Sequence, residues 1–156
     1  MLSDKAKKEI LEGLKKYHNK RSGVMDSLRV AQREAGGHLA EEDMAEIAGM
    51  LGMQPVEVNA AAAFYTMYRI KKPVGRFHIQ VCRNISCSLL GAEHIIKFIE
   101  GRLGIRAGET TADKKFTLST VECLGSCGTA PMMQVNDDFH ENLTEERIVE
   151  VLKKLR

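Results

Sequence analysis

Residues 71–87 read K-K-P-V-G-R-F-H-I-Q-V-C-R-N-I-S-C, and the character of the chain changes inside them. Lys71-Lys72-Pro73-Val74-Gly75 is basic and helix-breaking, which marks a boundary between a domain over 1–72 and another over 73–156. Beyond it Phe77, Ile79 and Val81 alternate with Arg76, His78 and Gln80, the two-residue period of a half-buried strand over Arg76–Cys82. The strand delivers Cys82, and Cys87 follows after four intervening residues. Helical periodicity rules upstream, and strands mix with helices downstream, so the class is α+β.

Working back toward the N-terminus, Ser3 is placed to cap a helix with Ala6, Ile10, Leu11 and Leu14 as its apolar set, ending near Asn19–Ser22. A second helix is predicted over Val24–Ala35, with Val24, Leu28 and Ala31 inward and Gly36-Gly37 as its stop. A third spans Glu41–Leu51, with Met44, Ile47, Ala48 and Leu51 on one face, and stops at Gly52. The fourth starts at Pro55 and carries Val58, Ala61 and Ala62 toward Phe64-Tyr65. Short connections make these four a small antiparallel bundle. Phe64, Tyr65 and Tyr68 are assigned to the bundle's own core rather than to a partner-facing patch.

Working forward, a helix is predicted over Gly91–Leu103 with Ile95, Ile96, Phe98, Ile99 and Leu103 as its apolar set. Strands follow at Phe116–Cys123, Met132–Val135 and Phe139–Asn142, the last two separated by a turn at Asn136-Asp137-Asp138. Thr144 caps a final helix that buries Ile148, Val151, Leu152 and Leu155. The order of the second domain is β-α-β-β-β-α.

Composition narrows the function. The chain has 156 residues, 44% of them apolar, and a formal net charge of only +2, which gives no general pull toward nucleic acid or anionic membrane. The N-terminal run M-L-S-D-K-A-K-K-E-I lacks the apolar core of a secretory signal, and no apolar run reaches the roughly 18–20 residues of a membrane span. The expected compartment is the cytoplasm, where thiols stay reduced.

Four cysteines concentrate the chemistry. Each pair, Cys82 with Cys87 and Cys123 with Cys127, leaves a predicted strand, and loops at one end of a sheet converge on a single site. The reducing compartment disfavours two disulfides. Neither pair has the two-residue spacing of a thioredoxin-type redox motif. Spacing leaves a Cys₄ zinc site open beside a binuclear iron–sulfur cluster with two cysteines on each iron, and favours the second, because zinc sites usually contain a two-residue spacing. Gly125 and Gly128 remove side chains where backbone N–H groups would approach cluster sulfurs; Ser86, Ser88, Ser126 and Thr129 are further candidate donors. Cys87 precedes a helix, whose positive end would favour its thiolate by roughly 0.3–1 kcal/mol. No histidine lies within three residues of a cysteine, which argues against a Rieske arrangement.

The motif Cys82-x₄-Cys87, a gap of 35 residues, then Cys123-x₃-Cys127 resembles the NuoE-type subunit of NADH:quinone oxidoreductase, respiratory complex I. The likeness extends to Asp113, Phe116-Thr117, Cys123-Leu124-Gly125-x-Cys127 and Ala130-Pro131, and to Ala63-Phe64-Tyr65-Thr66-Met67-Tyr68 at the end of the bundle. The resemblance implies a helical N-terminal bundle followed by a thioredoxin-like [2Fe–2S] ferredoxin domain, with Cys82, Cys87, Cys123 and Cys127 as ligands of one cluster. It implies an electron-transfer subunit of an NADH dehydrogenase, with no catalytic residue of its own, that exchanges single electrons with a flavin on a partner. The partners it implies are the flavin- and NADH-binding subunit and further iron–sulfur subunits, and it leaves room for a homodimer of the isolated chain. Equivalent ferredoxin subunits of NAD-linked hydrogenases and formate dehydrogenases are the alternative.

Other patterns carry less. Ala48-x₃-Gly52-x₅-Val58 fits a DNA-binding helix-turn-helix, yet the would-be recognition helix from Pro55 to Ala63 holds no Lys or Arg, so neither nucleic acid nor an iron–sulfur regulator is expected. Met44, Met50 and Met53 read as packing residues, the five histidines as scattered surface or structural groups, and Lys114-Lys115 and Lys153-Lys154 as solvated faces. No Gly-x-Gly-x-x-Gly follows a strand, so FMN and NAD are expected on the partner subunit. Ala130-Pro131 leaves the isomer of its peptide bond open.

Overall fold

The computed structural model describes residues 1–70 and 73–155; Lys71 and Lys72 of the joint lie outside them. The chain forms two compact units, Met1–Pro73 and Val74–Arg156. Among the described residues there are seven α-helices and four strands.

The first unit is helical: α1 (Asp4–Leu14), α2 (Val24–Glu34), α3 (Glu41–Leu51) and α4 (Pro55–Phe64). Ser3 caps α1 by accepting from the Ala6 N–H at 3.2 Å. Ala6, Ile10 and Leu14 recur every fourth residue and are buried, whereas Leu11, a residue off that stripe, is half exposed. The helix stops at Leu14, short of the expected Asn19–Ser22, and a single 3₁₀ turn occupies Lys20–Gly23. The core joins these α1 residues to Leu28, Ala31, Leu39, Met44, Ile47, Leu51, Val58 and Tyr68. Gly52 closes α3 in the left-handed region at φ 66°.

The aromatic assignment divides. Tyr68 is core, its hydroxyl donating to the Met25 carbonyl at 2.8 Å. Phe64 and Tyr65 are exposed at 79% and 42%, stacked edge-to-face with centroids 5.0 Å apart. The reason is local: α4 ends at Phe64, and the buried face of this helix consists of Val58 and Ala62.

The second unit contains β1 (Phe77–Cys82), α5 (Ile85–Leu89), α6 (Ala92–Leu103), β2 (Phe116–Val121), β3 (Met133–Val135), β4 (Asp138–His140) and α7 (Glu145–Lys154). The strands lie in the order β2-β1-β3-β4. β1 and β2 are parallel with Phe77 opposite Phe116 and Cys82 opposite Val121, while β3 and β4 run antiparallel to their neighbours. Ile79, Val81, Leu118, Met133 and Val135 from the sheet share one core with Ile95, Ile96 and Ile99 of α6 and Ile148 of α7.

Three boundaries differ from expectation. The loop expected after β1 contains α5, which Asn84 starts by accepting from the Ile85 N–H at 2.7 Å. β2 stops at Val121, two residues before the expected Cys123. β4 starts one residue and ends two residues earlier than expected; Asn136 takes φ 53° and the hairpin closes with Val135 opposite Asp138. The chain then turns at Asn142, whose N–H donates to the Thr129 carbonyl at 2.8 Å.

A four-cysteine candidate metal centre

Parallel pairing sends β1 and β2 out of the sheet at the same edge, and that edge carries the cysteines. Cys82 is the last residue of β1, and its N–H donates to the Met132 carbonyl at 3.2 Å. The next N–H, of Arg83, reaches the Val121 carbonyl at 2.9 Å and ties the exit of β1 to the end of β2. Cys123 follows β2 by two residues, and Cys127 opens a 3₁₀ turn over Cys127–Thr129. The Ala130-Pro131 bond just beyond is cis.

All four thiols are free. They differ in exposure: Cys82 and Cys87 are buried at 4% and 2%, whereas Cys123 and Cys127 are exposed. The buried pair shares a small apolar nest with Ala92 and Met132, onto which Leu124 and Ala130 of the second cysteine loop pack. The loop of the second pair thus packs onto the nest that holds the first, although 35 residues separate the pairs in sequence. Burial pushes the Cys87 thiol up to about 11; a hydrogen bond with Cys82 and the charges of Cys82 and Cys127 add to the effect, and a backbone hydrogen bond from Met132 opposes it. The expected dipole effect places Cys87 ahead of a helix; it sits inside five-residue α5, and its thiol stands above its ordinary value, burial being the largest cause.

The peptide-donor expectation holds at one glycine. Gly125 adopts φ 78°, and its N–H donates to Cys123 Sγ at 3.3 Å. Three of the four candidate hydroxyl donors are engaged elsewhere. Ser88 donates to the Arg83 carbonyl at 2.8 Å, while Ser126 and Thr129 both donate to Glu141 Oε1, Thr129 at 2.7 Å. Those two bonds hold the Glu141 carboxyl below its ordinary value. Sequence reasoning misses Glu141. It lies beyond a hairpin from Cys127, and only the pairing of β3 with β4 brings it back.

Among the described residues no group of three or more His, Cys, Asp and Glu side chains is placed to enclose a single ion. A binuclear iron–sulfur cluster asks something different, two thiolates for each iron, with sulfide completing each coordination sphere. One buried thiol pair in a nest, a second exposed pair whose loop packs onto that nest, and a peptide N–H already on one sulfur are compatible with that donor set.

Comparison with known proteins extends the picture. A family model described as thioredoxin-like [2Fe–2S] ferredoxin matches residues 10–156. An NADH-quinone oxidoreductase subunit of Rhizobium meliloti is 47% identical over 150 residues, covering 96% of this chain and 88% of that protein. Its counterpart in Rickettsia conorii, also an NADH-quinone oxidoreductase subunit, is 44% identical over 147 residues, covering 93% and 87%. Among solved structures, an NAD⁺-reducing [NiFe]-hydrogenase in the air-oxidized state shares the fold with a TM-score of 0.71 at 22% identity. The match covers 85% of this chain and spans 22% of the hydrogenase chain.

Proposed function

Since the chain belongs to the thioredoxin-like [2Fe–2S] ferredoxin family, as a NuoE-type subunit, we propose that Cys82, Cys87, Cys123 and Cys127 hold its cluster. The protein is an electron-transfer subunit of NADH:quinone oxidoreductase and a non-catalytic component of that enzyme. The observation that carries the ligand assignment is the convergence of both cysteine pairs at the shared exit of β1 and β2. When bound, the cluster supplies a one-electron store of low potential.

The residues divide the remaining work. β1, Met132 and the apolar nest fix Cys82 and Cys87 away from water, which would protect their bonds to a bound cluster from hydrolysis. The Gly125 N–H offsets negative charge on the Cys123 sulfur. Cys123 and Cys127 form the solvent side, and α5, which carries Cys87, presents Ile85 and Leu89, with Leu90 just after, at 72%, 80% and 58% exposure. This apolar rim is continuous with Cys87 and receives the flavin- and NADH-binding subunit, where FMN and NAD sit, so that water is excluded from the path between the two redox groups. Further iron–sulfur subunits complete the assembly. No helix among the described residues is long and apolar enough to cross a membrane. The hydrogenase reading ranks lower, because it rests on likeness of fold alone.

Anaerobic purification followed by iron, sulfide and zinc analysis and EPR tests the assignment. About two irons and two sulfides per chain, with a rhombic signal on reduction, are expected. A colourless protein with one zinc would overturn it. Replacing each cysteine in turn by serine should diminish or alter the cluster at all four positions, and an unchanged spectrum in Cys82→Ser would remove that residue from the ligand set.

A further inference from the structure

The solvent-side ligand loop is tethered from outside itself. Cys127 stands between Ser126 and Thr129, and the hydroxyls of both neighbours converge on a single oxygen, Glu141 Oε1. The Thr129 N–H closes the turn onto the Ser126 carbonyl at 3.2 Å. Backbone bonds repeat the connection alongside, Asn142 N–H to Thr129 carbonyl at 2.8 Å and Leu143 N–H to Pro131 carbonyl at 2.9 Å. Glu141 itself is half-buried after β4, with Arg147 of α7 adding favourable charge. Cys127 thus lies on a turn pinned at both ends by one carboxylate, whereas Cys123 is held by its peptide donor from Gly125.

We propose that Glu141 is a positioning residue for the cluster. Through Ser126 and Thr129 it fixes Cys127 for iron, and its negative charge holds the reduction potential down. The inference rests on the reading of Cys127 as a ligand. Its two parts separate chemically. Hydrogen-bonded support of a ligand governs retention of the metal, and removal of such support typically weakens binding roughly 10–100-fold. A fixed negative charge near an anionic cluster opposes the added electron, so its removal moves the midpoint upward. An amide in place of the carboxylate keeps an acceptor for both hydroxyls and discards the charge.

The experiment uses the full chain, wild type, Glu141→Gln and Glu141→Ala, purified anaerobically with its iron and sulfide. Bleaching under an iron chelator gives retention, and a dye-mediated redox titration followed by EPR gives the midpoint. Glu141→Ala should lose its cluster roughly 10–100-fold faster than wild type. Glu141→Gln should hold it nearly as well as wild type, yet titrate at a higher potential. Circular dichroism on both variants separates these effects from misfolding, and Glu141→Gln remains informative should the alanine variant fail to fold. A wild type that contains iron and sulfide beside variants with unchanged retention, spectrum and midpoint would overturn this inference alone. A wild type without iron and sulfide would overturn the ferredoxin reading beneath it.

Discussion

At the scale of single residues, backbone approach and hydrogen bonding decide what can change. A Cβ on Gly75 would meet the Lys114 and Lys115 backbone at 2.9 Å, and the Gly75 N–H donates to Thr117 Oγ1 at 2.6 Å. Gly75→Ala should therefore destabilise the second unit by about 1–3 kcal/mol in urea titrations, since rigid backbone is what must move. Glu141 predicts an acid limb. Its folded value lies below the ordinary 4.5, so its contribution is full above about pH 4.5 and disappears as pH falls through the lowered value. Stability measured against pH should show this limb in wild type and lose it in Glu141→Gln. The four cysteines stand out in sequence as a candidate ligand set because their spacing is itself the signal. Glu141 is not, because its partners arrive only through tertiary pairing. Phe64 and Tyr65 escape sequence reading for a related reason. Apart from Glu57 and Asn59, α4 is made of small and apolar residues with no clear stripe, so periodicity cannot say which aromatic at its end turns inward.

At the scale of elements, caps and buried stripes carry the argument. Thr144 Oγ1 accepts from the Arg147 N–H at 3.2 Å, and Thr144→Ala should cost about 1 kcal/mol by thermal or chemical denaturation. Ile99 of α6 is fully buried, so Ile99→Ala should cost about 2–5 kcal/mol by the same measurement. Helices with clear stripes, such as α3 and α6, can be placed to within a residue or so from the pattern of Met44, Ile47 and Leu51, or Ile95, Ile96 and Ile99. Short elements cannot. α5 has only five residues, too few for a period to register, and the ends of β2 and β4 are set by where the sheet's hydrogen bonds stop.

At the scale of the molecule, each unit has a hydrophobic core of its own, and the cysteines belong wholly to the second. Chelating the metal should therefore speed amide exchange at the ends of β1 and β2 and around Met132, while the protection of Leu28 and Ile47 in the bundle stays unchanged. Slower exchange at the sheet end after chelation, or equal acceleration in both cores, would contradict this division. The α+β class and the change of character at Pro73 are readable because helical and strand periods do not overlap there. The sheet order is not, because the crossing of α6 between β1 and β2 leaves no mark on local pattern.

The parallel alignment of β1 with β2 bears on biogenesis. A nascent chain that has emerged only as far as α6 carries two thiols and no second half of the cage. Residues through Cys127 must clear the ribosome, and β2 must dock beside β1, before both cysteine loops leave the sheet together. A cluster held by both pairs would load only once the sheet is assembled, and its colour would report correct folding.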